Sequence, residues 1–100
     1  MIFGLSKEQN ILLSKAVIEP LKDMGFQVYI FGSRTSGKHH PFSDIDILFE
    51  GNSSQDLKNK INAIKEQMQE SNFPFKVDLV YLPDLAESYK ASVLKNRVLL

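Results

Sequence analysis

The chain contains no cysteine among its 100 residues, which excludes both a disulfide framework and a thiolate metal site. It has only two histidines, His39 and His40, which stand together in a polar segment, so no imidazole cluster can complete a zinc site. No apolar run approaches the ~20 residues needed to span a bilayer. These absences leave the classes of cytoplasmic enzyme and binding module open.

The sequence also lacks a charged N-terminal region followed by a long apolar stretch, so no signal peptide is expected and the expected location is cytoplasmic. Twelve basic residues balance twelve acidic ones. Duplex nucleic acid is therefore not the expected partner, because phosphate neutralisation drives most of such binding. A length of 100 residues predicts one domain, residues 1–100.

The residue patterns predict six elements in the order helix, strand, strand, helix, strand, helix, which indicates an α/β (α+β) class with a mixed three-stranded sheet. The first helix begins with a Ser6–Gln9 capping box, is kinked near Glu19 by Pro20, and ends at Gly25. The predicted later elements are strands over 26–31, 44–49 and 76–82, a helix capped by Ser53 or Ser54 with the apolar stripe Leu57, Ile61, Ile64 and Met68, and a last helix from Pro83 or Asp84 with Leu85, Tyr89 and Val93 in step.

Two carboxylates interrupt the second strand. Asp44 and Asp46 alternate with Ile45 and Ile47, so they share one face of the strand, about 7 Å apart at the backbone. Asp78 repeats this pattern in the third strand, and pairing of the two strands would bring all three carboxylates together. Such a cluster has raised pKa values unless a cation is present. Oxygen-only ligation favours Mg²⁺ among the metals. Each motif taken alone is also typical of an edge strand with a solvated face.

A loop rich in glycine, serine, histidine and proline precedes this strand, over residues 32–43. Gly32 lets a phosphate group approach the backbone, and the hydroxyl of Ser33 can donate a further hydrogen bond. Arg34 and Lys38 are candidate phosphate contacts, although cations in loops are usually just solvated. Ser43 is a candidate for nucleotide contact, with the alternative that it only fixes the entry to the strand. The loop and the strand together predict a site for a triphosphate and its metal.

Gly32-Ser33, ten intervening residues and then Asp44-Ile45-Asp46 resemble the nucleotidyltransferase signature of the DNA polymerase β superfamily. The wording "FGSRTSG…SDIDIL" is most similar to the small prokaryotic minimal nucleotidyltransferases (MNT), and Asp78 matches their third aspartate. The resemblance implies the nucleotidyltransferase fold and transfer of a nucleoside monophosphate from a nucleoside triphosphate such as ATP. It also implies catalysis by Asp44, Asp46 and Asp78 as ligands of two Mg²⁺ ions.

The resemblance further implies a partner, because many of these small proteins are encoded beside a helical HEPN protein and several act as antitoxins that add AMP to its tyrosine. The predicted elements leave little chain for an acceptor pocket, so the acceptor surface is expected from another chain, in a hetero-oligomer. Two alternatives stay open. One is a non-catalytic antitoxin that neutralises its partner by occlusion, and the other is a nucleotidyltransferase of small molecules, such as an antibiotic-modifying enzyme.

Overall fold

The structure is a computed structural model, and it describes residues 3–36, 43–52 and 56–100. The helices are α1 (Lys7–Leu13), α2 (Glu19–Asp23), α3 (Ser33–Ser36), α4 (Leu57–Glu70) and α5 (Glu87–Asn96). The strands are β1 (Gln27–Phe31), β2 (Ile45–Glu50), β3 (Val77–Tyr81) and β4 (Val98–Leu99). A π-helical segment, Ser14–Ile18, joins α1 to α2, and a 3₁₀ turn, Leu82–Asp84, follows β3. The predicted class, mixed α and β, is confirmed.

The N-terminal helical region begins as the sequence predicts. The hydroxyl of Ser6 accepts from the Gln9 N–H at 3.1 Å, and the Gln9 side chain accepts from the Ser6 N–H at 2.9 Å. The predicted kink near Glu19 takes the form of the π-helical segment, in which the Glu19 N–H donates to the Ser14 carbonyl. Pro20 has no N–H to donate, so a wider turn before it and a restart of the α-helix after it accommodate the proline.

Four strands form one sheet in the order β3-β2-β1-β4. The β1–β2 and β1–β4 pairs are antiparallel, whereas β2 and β3 are parallel. The sequence predicted a sheet of three strands, and the structure adds a fourth strand, β4. The terminal residues Val98 and Leu99 pair with Ile30 and Tyr29, which extends the sheet beyond β1.

The core lies between one face of the sheet and the helices α1, α2 and α4 with the π-helical segment. Its members are apolar side chains that are almost completely buried, among them Leu13, Val17, Leu21, Val28, Ile30, Ile45, Ile47, Phe49, Ile61, Ile64 and Met68. This confirms the predicted α4 stripe except at Leu57, which is half-buried. The α4 caps predicted at Ser53 and Ser54 lie outside the described residues.

The last helix differs from its prediction. It begins at Glu87, after the 3₁₀ turn, rather than at Pro83 or Asp84. None of its residues is buried, and Tyr89, which was expected in a packed stripe, is 64% exposed. Within the described ranges, no helix is both long and apolar enough to cross a membrane.

Candidate functional site

Three carboxylates lie on the sheet face that is turned away from the core. Asp46 of β2 stands directly beside Asp78 of β3, since the two residues are register partners in the parallel pair. Asp44 precedes β2 by one residue and follows the same alternation. The intervening Ile45 and Ile47 point to the other face and are completely buried. The core therefore fixes the register of β2, and this register places the aspartates side by side.

The electrostatics of the site centre on Asp46, which is half-buried. Burial, followed by the negative charges of Asp78 and Asp44, raises the pKa of the Asp46 carboxyl above its ordinary value, and Lys76 partly offsets this. The ammonium of Lys76 lies 3.5 Å from Oδ1 of Asp78. Both partners of this ion pair are substantially exposed, so its contribution to stability is small. Among the residues that the structure describes, the cluster is an anionic site with Lys76 at its edge.

The donor chemistry of these side chains fits a hard divalent cation, because carboxylate oxygens are the ligands that Mg²⁺ takes. Burial, and then the negative charges of Asp78 and Asp44, raise the pKa of the Asp46 carboxyl, and a bound cation would favour its charged form. The side chains, as they lie in the structure, are not arranged to coordinate one metal ion together. Within residues 3–36, 43–52 and 56–100, no three acidic or histidine side chains are placed to hold one ion together. Binding of a cation by Asp44, Asp46 and Asp78 together would require their side chains to move.

Gly32 closes the site on the side of β1. Its φ of +87° lies in the left-handed region, which favours glycine. A Cβ atom at this position would lie 2.5 Å from Oδ2 of Asp46, so the carboxylate occupies the space that any other residue needs. The Gly32 carbonyl accepts from the Thr35 N–H at 3.1 Å and from its hydroxyl at 2.7 Å. Gly32 thus ends β1, starts α3 and brings bare backbone against Asp46.

Arg34 takes a different position from the phosphate contact proposed for it. Its side chain is 3% exposed, and burial lowers the pKa of the guanidinium. Nε and Nη2 donate to the Ser43 carbonyl at 3.2 and 2.7 Å, and Nη1 donates to the Phe3 carbonyl at 3.0 Å. The guanidinium also lies over the ring of Phe75, 4.5 Å from its centroid. Arg34 therefore ties α3 to the start of β2, and these contacts give its charge a structural use.

The remaining predicted positions surround the same end of the sheet. Ser33 begins α3 immediately after Gly32, and Ser43 lies half-buried two residues before β2, where its carbonyl accepts from Arg34. Lys38, His39 and His40 lie outside the described residues. Residues 32–43, expected to form a loop throughout, contain the short helix α3. The nucleotide-binding roles of Gly32, Ser33, Arg34 and Ser43 stay predictions.

Lys76 was not assigned a role from the sequence, although its position two residues before Asp78 places both side chains on one face of β3. The ion pair between them makes Lys76 part of the site. Phe3 and Phe75 are also involved, because they hold the Arg34 guanidinium. Neither aromatic residue lies near Arg34 in the sequence, so no local pattern could have indicated these contacts.

Comparison with known proteins identifies a family whose sequence pattern this chain matches. A family model described as "Nucleotidyltransferase domain" matches residues 12–100. Among curated proteins, the "Probable protein adenylyltransferase MntA" of Haemophilus influenzae is 27% identical over 94 residues, which cover 94% of this chain and 81% of the relative.

Among solved structures, one described as "Crystal structure of the toxin-antitoxin with AMP-PNP" superimposes with a TM-score of 0.66 at 25% sequence identity. The match covers 86% of this chain and 70% of the other. The resemblance found in the sequence is therefore confirmed by all three comparisons.

Proposed function

Because this chain belongs to the nucleotidyltransferase domain family, we propose that it transfers AMP from ATP, in the presence of Mg²⁺, to a hydroxyl group of a partner protein within a toxin–antitoxin pair. The observation that carries the proposal is the side-by-side position of Asp46 and Asp78 on parallel strands, with Gly32 against Asp46. An adenylyltransferase relative and a toxin–antitoxin neighbour containing an ATP analogue support the choice of nucleotide and of a protein acceptor. The partner proposed is a HEPN-type helical protein, modified on a tyrosine.

The chemistry assigned to each residue follows from its position. Asp44, Asp46 and Asp78 would hold the metal, which supplies neutralisation of triphosphate charge and a lowered pKa for the acceptor hydroxyl. Gly32, whose missing side chain leaves room for the Asp46 carboxylate, would also let phosphate oxygens approach the backbone. Asp78 lies at the outer side of the cluster, where a carboxylate can take the proton of an incoming hydroxyl. Positioning and charge stabilisation account for most of the catalysis in phosphate transfer.

The first test is ATP binding measured by calorimetry, with and without Mg²⁺, on the wild type and on Asp46→Asn. The wild type should bind ATP at least tenfold more tightly with Mg²⁺, and Asp46→Asn should lose most of that gain because it removes a charged ligand. Asp23→Asn, at the exposed end of α2, is the matched control and should behave as wild type. Equal affinity in every case would contradict the metal-dependent nucleotide site.

The second test concerns the transfer itself. The protein is mixed with the HEPN-type neighbour, Mg²⁺ and each nucleoside triphosphate, and the intact mass of both chains is measured. The neighbour should gain one or more AMP units, and Asp44→Asn or Asp78→Asn should abolish the gain. Tight binding of the neighbour without added mass, with neutralisation retained by the aspartate variants, would instead establish occlusion. Absence of binding and of added mass would point to a small-molecule acceptor.

A further inference from the structure

Strand β3 is an edge of the sheet in the part of the chain that the structure describes, since it pairs with β2 on one side only. The Ile45 N–H donates to the Lys76 carbonyl at 2.8 Å, which fixes the direction of the backbone groups. In a parallel pair, alternate residues bond to the same neighbour, so residues 76, 78 and 80 face β2. The N–H and C=O groups of Val77, Leu79 and Tyr81 point outward, where another strand can pair with them.

An apolar trough runs along this edge on the side of the sheet that α4 covers. It consists of two adjoining cavities of about 180 and 360 Å³, and Lys65 and Leu79 line both. The apolar residues of the trough are Val17, Phe49, Leu57, Ile61, Ile64, Met68, Val77, Leu79 and Tyr81. Side chains that project from a strand added to β3 toward the core face would enter this trough.

The charges along the trough favour an acidic occupant. Lys58, Lys65 and Lys76 line it, against Asp78 and Asp84. Lys76 is paired with Asp78, whereas Lys58 and Lys65 form no ion pair with any described residue. Their ammonium groups are therefore available to carboxylates of a bound chain, and a basic segment would be repelled.

A strand added at the β3 edge would reach both the trough and the carboxylate site, because these lie on opposite faces of the sheet. Side chains of an added strand alternate between the two faces, as they do in β3. A residue that pairs beside Asp78 would project onto the carboxylate face, and the residues on either side of it would project into the trough. One extended segment would thus bury apolar side chains against α4 and present a hydroxyl next to Asp78.

We infer that the acceptor protein docks as an extended segment on the open edge of β3, with its hydroxyl residue beside Asp78, apolar residues in the trough, and acidic residues facing Lys58 and Lys65. The inference rests on the proposed transferase function and specifies how its acceptor is bound. The acceptor oxygen forms a bond to the α-phosphorus of ATP, the bond from that phosphorus to the bridging oxygen breaks, and pyrophosphate leaves. The hydroxyl proton passes to Asp78 and then to water.

The test uses a synthetic peptide with one tyrosine, a valine on each side of it and two glutamates at each end, labelled with fluorescein. Its binding is followed by anisotropy without ATP, so that docking is measured apart from catalysis. The wild type should bind the peptide, and Lys65→Glu should weaken binding at least tenfold. Lys60→Glu changes an exposed lysine of the same helix that does not line the trough, and it should bind the peptide as wild type does.

A second variant tests the backbone pairing. Leu79→Pro removes an outward N–H without removing a bond to β2, a position at which edge strands tolerate proline. Because it also removes the Leu79 side chain from the trough, Leu79→Ala, which removes that side chain and keeps the N–H, is its control. Leu79→Pro should weaken peptide binding at least tenfold while Mg²⁺-dependent ATP binding stays normal, which also shows that the fold is intact. Should Leu79→Pro prove unfolded, a peptide carrying an N-methyl group on the tyrosine and on each valine replaces it, since that peptide can pair with β3 in neither direction and should not bind.

Transfer of AMP to the peptide, followed by mass, should fall in parallel with binding in Lys65→Glu. The docking inference is overturned if the peptide does not bind, if Lys65→Glu binds and labels it as wild type does, or if single-stranded RNA competes for the trough and is labelled in its place. Failure of the proposed function is a different result, namely loss of metal-dependent ATP binding in the wild type itself.

Discussion

At the scale of single residues, the close approach of Gly32 to Asp46 distinguishes the site from an ordinary strand end. Gly32 and Gly25 have similar backbone angles, with φ of +87° and +90°, but differ in what a side chain would meet. A Cβ at Gly25 meets nothing within 4 Å, whereas a Cβ at Gly32 meets the Asp46 carboxylate. Substitutions at the two positions therefore distinguish the effect of backbone strain, which both share, from the effect of displacing the Asp46 carboxylate, which only Gly32 has.

Gly32→Ala and Gly25→Ala should both lower the free energy of unfolding by about 1–2 kcal/mol, because each forces a left-handed conformation on an L side chain. Only Gly32→Ala should also weaken Mg²⁺-dependent ATP binding, measured by calorimetry, since it moves Asp46 and fills the approach to the backbone. Equal ATP affinity in the two variants would mean that Gly32 serves only as a turn.

The Asp46 carboxylate should cost the protein stability at neutral pH. Its pKa is raised above the ordinary value of 3.8, so the folded state holds the proton more tightly than the unfolded state does. The free energy of unfolding contributed by this group therefore falls as pH rises through the interval above 3.8. Asp46→Asn should be more stable than wild type at pH ~7, and the difference should shrink toward pH ~3, where Asp46 is protonated in both states.

Denaturant unfolding at several pH values measures this difference, with Asp23→Asn as the exposed control. Addition of Mg²⁺ should stabilise the wild type more than Asp46→Asn. Ligand at one hundred times its dissociation constant stabilises by about 2.7 kcal/mol. A variant that is less stable than wild type at neutral pH would show that Asp46 is a structural residue.

At the scale of elements, β4 depends on contacts made outside its own two residues. Arg97, just before it, lies 3.2 Å from Oε1 of Glu50 and 3.9 Å from the centroid of the Tyr29 ring. The Tyr29 hydroxyl also donates to Glu50 Oε1 at 2.8 Å. These contacts hold the end of the chain against the sheet face that carries the site, at the β1 side. The Leu100 N–H then donates to the Val28 carbonyl at 2.9 Å.

Arg97→Ala should release β4 without disturbing the β2–β3 pair. The loss in free energy of unfolding should be about 1–2 kcal/mol, from a partly exposed ion pair and a cation–π contact. Hydrogen exchange should quicken at residues 98–100, while Ile47 and Val80, whose N–H groups lie between β2 and β3, keep their protection. Lys95→Ala, in the last turn of α5, is the control, and comparable quickening in both variants would contradict the assigned contacts.

At the scale of the whole molecule, local signals in the sequence predicted the elements that depend on local chemistry. The Ser6 capping box, the left-handed Gly25 and the alternation in β2 and β3 each involve residues close in the chain, and the structure confirms them. The alternation also placed Asp46 and Asp78 on one face, so the geometry of the carboxylates could be predicted once β2 and β3 were paired.

The features that could not be predicted depend on distant partners. Arg34 is buried because the carbonyl of Phe3 and the ring of Phe75 receive its guanidinium, and neither lies near it in sequence. A two-residue strand such as β4 forms only where β1 offers an open edge. Tyr89 was predicted to pack because it is in step with Val93, but α5 buries none of its residues.

The side chains of β2 alternate between two faces of the sheet: Ile45, Ile47 and Phe49 fill the core, whereas Asp46 and the buried Leu48 lie on the face that carries the site. A shift of one residue along the strand would exchange the two sets, burying acid and exposing hydrocarbon. The strand can therefore gain or lose residues during evolution only in pairs.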